Sequence, residues 1–374
     1  MKPAPITVLH VLRSLGHGGI EAWLSQVVPL VDTSRYQMEL LLEAGSETPL
    51  AREFPNHIKL HCVPSGEGAS AWMMGLLRFF REHSEIQVVH SHYHLGSGFV
   101  LGAAALAGIR VRIAHIHTQS ACHGSRLDTK PVVSVVARQM LSASATAYLS
   151  PSMSALRDVC KEGLDARKLA MVLPYGVNEQ RFAFDRAARL RMRHSLGISP
   201  ATLLVGHVGR FVGFKNHTFL INAFAACAAR RPNVHLLLIG DGALRPEIET
   251  LAYTRAREKV TLLGVRSDVP ELLSAMDVFV FPSRVEGLGL AAVEAQASGL
   301  PIVMSEGVPE EAVAVAGLVR RLSLGSGPQA WGREIAKMSP SDEAERMEAA
   351  SRFSQRISVS AQQLSAFYDK ANGR

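Results

Sequence analysis

Two glutamates, Glu286 and Glu294, stand in the stretch VEGLGLAAVEAQASGLP among glycines at 287, 289 and 299. Paired carboxylates first suggest an acid and a base facing one another. The strand VFVFPS, however, ends near Ser283 and a helix is expected from about Leu290, which puts Glu286 on the connecting loop. Even on one continuous helix, residues eight apart fall about 80° out of line at about 100° per residue. The two acids therefore read as two grips on one ligand. Glu286 at the strand end would take sugar hydroxyls and Glu294 the hydroxyls of a ribose. The free N–H groups of Gly287, Leu288, Gly289 and Leu290 at the helix start would take a diphosphate. The plain alternative is that Glu286 caps the helix and Glu294 is an ordinary helix acid.

Arg210 and Lys215, in GRFVGFKNH, follow another apolar strand. Two cations at a strand end can neutralise the charge that develops on a departing diphosphate; the alternative is a solvated basic turn. Gly16, Gly18 and Gly19 in SLGHGGIEAWL lie between a first strand and a helix, where a phosphate- or sugar-approaching loop would sit. That loop lacks the GxGxxG order and a Walker lysine, so a simple tight turn is the competing reading. His90, His92 and His94 alternate in HSHYH, as do His115 and His117 in HIH. Alternation places each set on one strand face, a pattern metal ligands share. No neighbouring acid or cysteine completes a metal site, and no metal is expected; His117, at a strand end, is the histidine expected to meet a substrate.

The elements that must hold these residues repeat a single pattern. ITVLHVL, YQMELLLEA, IKLHCVP, VVHSH, VRIAHIHT, ATAYLSPS and LAMVLPYGV are short apolar runs separated by helix-length segments, the signature of a parallel sheet covered on both faces. After a basic helical stretch from Arg181 to His194 the pattern restarts with TLLVGHVGRF, VHLLLIGDG, KVTLLGV, VFVFPS and LPIVMS. Two α/β domains follow: 1–178 and 179–355, with 356–374 as a closing helix that packs back on the first. The cleft between two such domains, at the strand C-termini, is the expected site.

At 374 residues the chain has room for two cores, and 47% hydrophobic with 20% charged residues is the composition of a chain that folds throughout. The +7 charge permits anionic partners without choosing among them. Four cysteines without CxxC spacing, Cys62, Cys122, Cys160 and Cys227, indicate neither a zinc knuckle nor a redox pair; all four read as buried or inert in a reducing cytosol. The N-terminal run is too short for a signal peptide and reads as a strand. No run approaches the roughly 18 apolar residues of a membrane span, so any membrane contact is peripheral. The apolar helix AWMMGLLRFFREH reads as core, with membrane docking as the alternative. The arginines at 181, 186, 189, 191 and 193 read as a solvated helix face able to meet anionic lipid.

Taken together, FPSRVEGLGLAAVEAQASGLPIVMS, HVGRFVGFKNHTFLINAF, LLLIGDGALRPEI, LLGVRSDVPELLSAMDVFVFPS, HSHYHLGSG and RIAHIHT resemble the retaining glycosyltransferases of family 4. The similarity is greatest to bacterial exopolysaccharide and capsule enzymes and covers nearly the whole chain. It implies the GT-B fold of two facing Rossmann-like domains. It also implies that Arg210 and Lys215 hold the donor diphosphate, beside Gly209, and that Glu286 contacts the donor sugar. The backbone of Gly287 to Leu290 would meet the phosphate and Glu294 the ribose. Gly264, Val265 and Arg266 would lie beside the base, Gly18 and Gly19 near diphosphate and acceptor, and His117 at the donor sugar.

The family's asparagine-glycine-valine-aspartate turn appears here as YGVN, with Tyr175 and Asn178 at its ends, and no DxD pair occurs. The resemblance thus implies metal-independent transfer from a nucleotide diphosphate sugar, with retention, to a lipid-linked glycan acceptor. The setting would be surface polysaccharide synthesis on the cytoplasmic face of the membrane, with no nucleic acid partner. A front-face displacement would need no dedicated enzymic base. The alternatives are a nucleotide-sugar epimerase or phosphorylase of the same fold, a non-catalytic nucleotide-sugar-binding module, and a histidine-metal hydrolase.

Overall fold

The computed structural model describes residues 4–16, 18–43, 54–63, 69–119, 131–160, 168–340 and 342–373. The chain divides into two compact units, Met1–Gly176 together with Ile357–Arg374, and Val177–Arg356.

Among the described residues, the first unit holds strands β1 (Ile6–Val11), β2 (Tyr36–Glu43), β3 (Lys59–Val63), β4 (Ile86–Ser91), β5 (Val111–His115), β6 (Ala147–Ser150) and β7 (Leu169–Val172). All run parallel, in the order β3-β2-β1-β4-β5-β6-β7. Every residue of β1 is buried, because a central strand of a sheet covered on both faces has no side open to water. β3 is an edge strand, and there Cys62 is exposed. Of the cysteines expected to be buried or inert, Cys62 is therefore not buried. Cys160 is half-buried and Cys227 buried; Cys122 lies outside the described residues.

The second unit holds β8 (Leu203–Val208), β9 (Val234–Ile239), β10 (Val260–Leu262), β11 (Val278–Phe281), β12 (Ile302–Ser305) and β13 (Val319–Leu322). They are again parallel, in the order β10-β9-β8-β11-β12-β13. β13, with the sequence VRRL, has no counterpart in the sequence reading. An edge strand is covered less completely, so Arg320 and Arg321 replace the continuous apolar run that marks the others. In each sheet the strand order reverses once, between β1 and β4 and between β8 and β11. Open α/β sheets bind ligands outside the strand C-termini at such reversals.

The basic stretch is not one helix. It breaks into Glu179–Phe182 and Arg186–Ser195, and Asp185 begins the second by accepting the N–H groups of Ala187 and Ala188 at 2.7 and 3.1 Å. Two of its arginines are not on a solvated face. Arg189 and Arg193 bond the carboxylate of Asp277 at 2.5 and 3.1 Å, and Arg193 is buried. The helix Ala69–Glu82 buries Leu76, Phe79 and Phe80, while Met74 is exposed. No helix among the described residues is long and apolar enough to cross a membrane. The final helix, Ile357–Ala371, belongs to the first unit: the Ser360 hydroxyl accepts from the Gly176 N–H at 2.8 Å and donates to the Pro174 carbonyl at 3.1 Å.

Candidate functional site

In the second unit the loops that leave β8 and β11 emerge side by side, since the two strands are neighbours in the sheet. Asn216 ends the β8 loop in the left-handed region at φ 61°, ψ 42°, a conformation asparagine tolerates better than other non-glycine residues. Its Nδ2 donates to the Pro282 carbonyl at 3.1 Å. The Arg284 N–H donates to the Phe214 carbonyl at 2.8 Å, and the Ser305 hydroxyl bonds the Ser283 carbonyl from β12. These ties fix the height of each loop against the other.

What they bring together is Lys215 and Glu286, with Nζ to Oε1 at 2.7 Å. The lysine ammonium also sits 4.6 Å over the ring centre of Phe281, a cation–π position. The Lys215 turn is therefore not a solvated basic loop. Nor does Glu286 cap the following helix. The N-cap of Leu290–Ala297 is Gly289, at φ 90°, with no side-chain cap bond. A Cβ on Gly289 would lie 2.9 Å from a Phe281 ring atom, so both the φ and the space require glycine. The backbone from Gly287 to Leu290 thus leads into a helix N-terminus with no capping side chain.

Glu294 lies in the second turn of that helix and keeps partial solvent exposure. Burial pushes its carboxyl up to about 7, while the charges of Arg181 and Lys215 pull the other way. Lys215 thus acts on both acids, directly on Glu286 and through its field on Glu294. Arg210, in the same loop as Lys215, is exposed; it carries no ion pair among the described residues. At Gly209 a Cβ would stand 3.0 Å from His207 Nε2 and 3.3 Å from Lys215 Cδ, so the glycine clears room for the lysine stem.

Gly264 follows β10 at φ 70°, and its carbonyl accepts the Gly240 N–H at 2.8 Å. Beside it Val265 is 66% exposed. Arg266 makes a two-pronged bond to Asp268 at 2.8 and 2.6 Å. Sequence reasoning singled out neither Asn216 nor Asp277. The left-handed asparagine directly after Lys215 in KNH was the available signal for the first, and nothing local marked the second.

Gly18, Gly19 and His117 belong to the first unit. Gly18 is the N-cap of the helix Gly19–Val27, and a Cβ there would strike the Glu21 carboxylate at 2.3 Å. His117 follows β5 and is 4% exposed. Its Nε2 is 2.6 Å from His92 Nδ1, and its Nδ1 bonds the Tyr175 hydroxyl. The histidines do not form two separate strand faces. His10 on β1, His90 on β4 and His115 on β5 face one another across adjacent strands, and His92 and His117 extend the group just past the strand ends. His94 instead opens a short turn at φ 52° and bonds the Thr118 carbonyl at 3.1 Å. Nitrogens of His10, His90 and His92, and of His92, His115 and His117, fall within 4.8 Å of each other in each group. Every ring nitrogen of the five is hydrogen-bonded to another member of the cluster or to Tyr175 or Tyr368. Burial drives His10 to about 3 and holds His90, His92 and His115 well below the usual histidine range, with repulsion from neighbouring imidazoles adding to the effect in those three.

The departures in YGVN have structural counterparts. Tyr175 stacks on Trp23 with ring centres 4.4 Å apart and joins the histidine cluster. Asn178 accepts the Arg181 N–H at 3.0 Å and starts the helix Glu179–Phe182, the capping work an aspartate would do.

Residues 202–338 match the family model for glycosyl transferases group 1. EpsF of Bacillus subtilis (strain 168), named as a glycosyltransferase, is 32% identical over 343 residues, 91% of this chain and 89% of that protein. The Escherichia coli UDP-Gal:alpha-D-GlcNAc-diphosphoundecaprenol alpha-1,3-galactosyltransferase is 29% identical over 80% of this chain and 79% of its own. Among solved structures, Anabaena Alr3699/HepE in complex with UDP and glucose superposes with a TM-score of 0.79 at 20% identity, over 98% of this chain and 100% of that one. WaaG, a glycosyltransferase involved in lipopolysaccharide biosynthesis, gives 0.71 at 18% identity over 98% of each chain. Two parallel Rossmann-like sheets with these neighbours make the fold GT-B. With so similar a relative matched along nearly its whole length, this chain belongs to the group 1 glycosyltransferases.

Proposed function

We propose that the protein transfers a hexose or related sugar from a nucleotide diphosphate donor to a lipid-linked glycan acceptor, with retention of anomeric configuration, in surface polysaccharide synthesis. The observation that carries this reading is the Lys215–Glu286 pair at the reversal between β8 and β11. It sets a cation for the leaving diphosphate and a carboxylate for the sugar on two adjoining loops. Arg210 adds a second cation, and the N–H groups from Gly287 to Leu290, with space cleared at Gly209, receive the phosphates. Glu294 takes the ribose hydroxyls, and the base lies along Gly264, Val265 and Arg266. In the first unit His117 contacts the donor sugar, with Gly18 and Gly19 near diphosphate and acceptor.

The chemistry follows from charge. As the glycosidic bond breaks, negative charge grows on the diphosphate and positive charge on the sugar ring. Lys215 and Arg210 stabilise the first and Glu286 the second. The leaving phosphate can accept the proton of the incoming hydroxyl on the same face, so retention needs no separate enzymic base and the phosphate needs no metal. The donor class is supported by the neighbour bound to UDP and glucose. The acceptor class is supported by the relative named for a diphosphoundecaprenol substrate. Such an acceptor would place the enzyme at the cytoplasmic membrane surface, held peripherally.

The test is a thermal-shift screen of UDP-, GDP-, ADP- and dTDP-sugars, followed by assays of the hits with undecaprenyl-diphosphate-linked sugars. Nucleoside diphosphate should appear only when acceptor is present, and the product should keep the donor's anomeric configuration by NMR. Interconversion of donor sugars without acceptor would instead establish an epimerase, and binding without turnover under any acceptor would leave a binding module.

A further inference from the structure

Arg245 stands where the loop after β9 becomes the helix Arg245–Ala256, and it carries two acids at once. Its Nη1 donates to Asp241 Oδ2 at 2.8 Å and its Nε to Glu249 Oε1 at 2.7 Å. Asp241 is itself fixed, since its Oδ1 accepts the Gly242 N–H at 2.7 Å. A guanidinium has five N–H groups and no acceptor. Two are spent here, and the other three, two on Nη2 and one on Nη1, have no partner among the described residues. One cation between two carboxylates leaves the three side chains with a net charge of −1, which disfavours a phosphate. What the spare N–H groups can take is a neutral acceptor.

The backbone holds this guanidinium between two loops of the candidate site. β9 lies between β8 and β10 in the sheet. On the β8 side, the Phe211 N–H donates to the Asp241 carbonyl at 2.8 Å and the Leu244 N–H to the Phe211 carbonyl at 3.1 Å. A Cβ on Gly242 would lie 2.6 Å from the Phe211 carbonyl oxygen, so the two loops meet backbone to backbone. On the β10 side, the Gly240 N–H bonds the Gly264 carbonyl at 2.8 Å. The place that a Gly264 Cβ would take has one neighbour within 4 Å among the described residues, Arg245 Nη1 at 3.6 Å. Glycine at 264 thus leaves the guanidinium uncovered, and the arginine side chain is 35% exposed. A ligand that runs from the β8 loop to the β10 loop crosses the β9 loop and passes Arg245.

We propose that Arg245 is a specificity-determining residue that reads the base of the donor, its spare N–H groups donating to a ring carbonyl oxygen of a keto base: uracil, thymine or guanine. The inference rests on the reading that the base lies along Gly264, Val265 and Arg266 and the diphosphate on the β8 loop. Cytosine and adenine carry an amino group where uracil and guanine carry that oxygen. Donors then face donors, and the N–H groups lose water without gaining a partner. The two carboxylates sharpen the choice. A guanidinium tied at both Nη1 and Nε cannot turn from the wrong base without giving up a charge-assisted hydrogen bond.

UDP and CDP share ribose and diphosphate and differ at one edge of the base, so they are the probes. The experiment is titration calorimetry of each nucleotide with the full chain. The wild type should bind UDP at least about tenfold more tightly than CDP. Arg245→Met keeps an apolar stem and removes every N–H; it should weaken UDP about tenfold, leave CDP nearly unchanged and shrink the ratio accordingly. Arg245→Lys keeps the charge on a mobile ammonium without the planar fork and should fall between the two. It also serves if the methionine variant does not fold. GDP against ADP should repeat the pattern with purines.

Equal affinity of the wild type for UDP and CDP would overturn the proposal. So would an Arg245→Met chain that keeps the wild-type ratio, even if both affinities fall together, because a purely structural role would move both alike. The parent reading fails in a different way. UDP affinity unchanged in both Lys215→Ala and Glu294→Gln would overturn the assigned nucleotide site, and the base contact with it. Dependence on those two residues with a ratio indifferent to Arg245 would overturn the base contact alone.

Discussion

Lys215 and Glu286 hold opposite charges 2.7 Å apart, with the lysine side chain 13% and the glutamate side chain 9% exposed. A pair so enclosed is costly to break from one side, because the remaining charge keeps its desolvation and loses its partner. Glu286→Ala and Lys215→Ala should each still fold, lose on the order of 1–3 kcal/mol of stability and cut kcat by about 100-fold or more. A double-mutant cycle in urea reads the coupling; strictly additive losses would mean that the pair contributes nothing to the fold, and near-normal turnover by either variant would remove its assigned role.

Glu294 should cost the fold stability at neutral pH. Its folded pKa is raised to about 7 from 4.5, so the fold favours the protonated carboxyl. The penalty is absent below about pH 4.5, grows as pH rises and is complete above about pH 7. Glu294→Gln should therefore raise stability at pH 8 by on the order of 1–3 kcal/mol and change it little at pH 4, measured by chemical denaturation. If the ionised carboxylate also grips ribose, UDP affinity in the wild type should weaken as pH falls below about 7, by up to about tenfold per unit, and titration calorimetry of the glutamine variant should show weaker binding without that dependence.

Asn216 is expected to matter twice, through its left-handed backbone and through its bond to the Pro282 carbonyl. Asn216→Gly retains the first and loses the second; Asn216→Ala loses both. The glycine variant should fold nearly as stably as the wild type yet lower kcat/KM several-fold, while the alanine variant loses a further ~1 kcal/mol of stability. Equal stability of the two variants in thermal melts would show that the left-handed turn costs nothing here.

At Gly209 the expected fault is one of placement. An alanine methyl would press on the Lys215 stem and on His207, the contacts being 3.3 and 3.0 Å. Gly209→Ala should raise donor KM and lower kcat together by about tenfold, as a misplaced cation would, with a smaller effect on the melting temperature than Lys215→Ala. Unchanged kinetics would mean that the lysine stem moves aside freely.

The parts of this molecule that sequence reveals are those with a local physical cause. Central strands such as ITVLHV are apolar throughout because both faces of the sheet are covered, and Glu286, Gly289 and Lys215 sit in loops whose glycines mark close backbone approach. What escaped local reading depends on register between distant segments. β13 is an arginine-bearing edge strand without the apolar run that marks the others. Arg189 and Arg193 look like a solvated helix face until Asp277, more than eighty positions away, is brought against them. The histidines of HSHYH and HIH suggested separate strand faces, whereas β1, β4 and β5 in parallel register join them with His10 into one group. Tyr175, a departure from the family's usual turn, is a core residue stacked on Trp23.

The first unit is finished by the last helix of the chain, and this sets an order in time. During synthesis β1 to β7 leave the ribosome well before Tyr368 does, and at roughly 5–20 residues per second the whole second unit must be made in between, on the order of ten seconds or more. Through that interval His10 Nε2 and His90 Nδ1 await the hydroxyl that will bridge them. The nascent N-terminal half therefore waits with a polar core one member short until the second unit and the helix Ile357–Ala371 after it have been made.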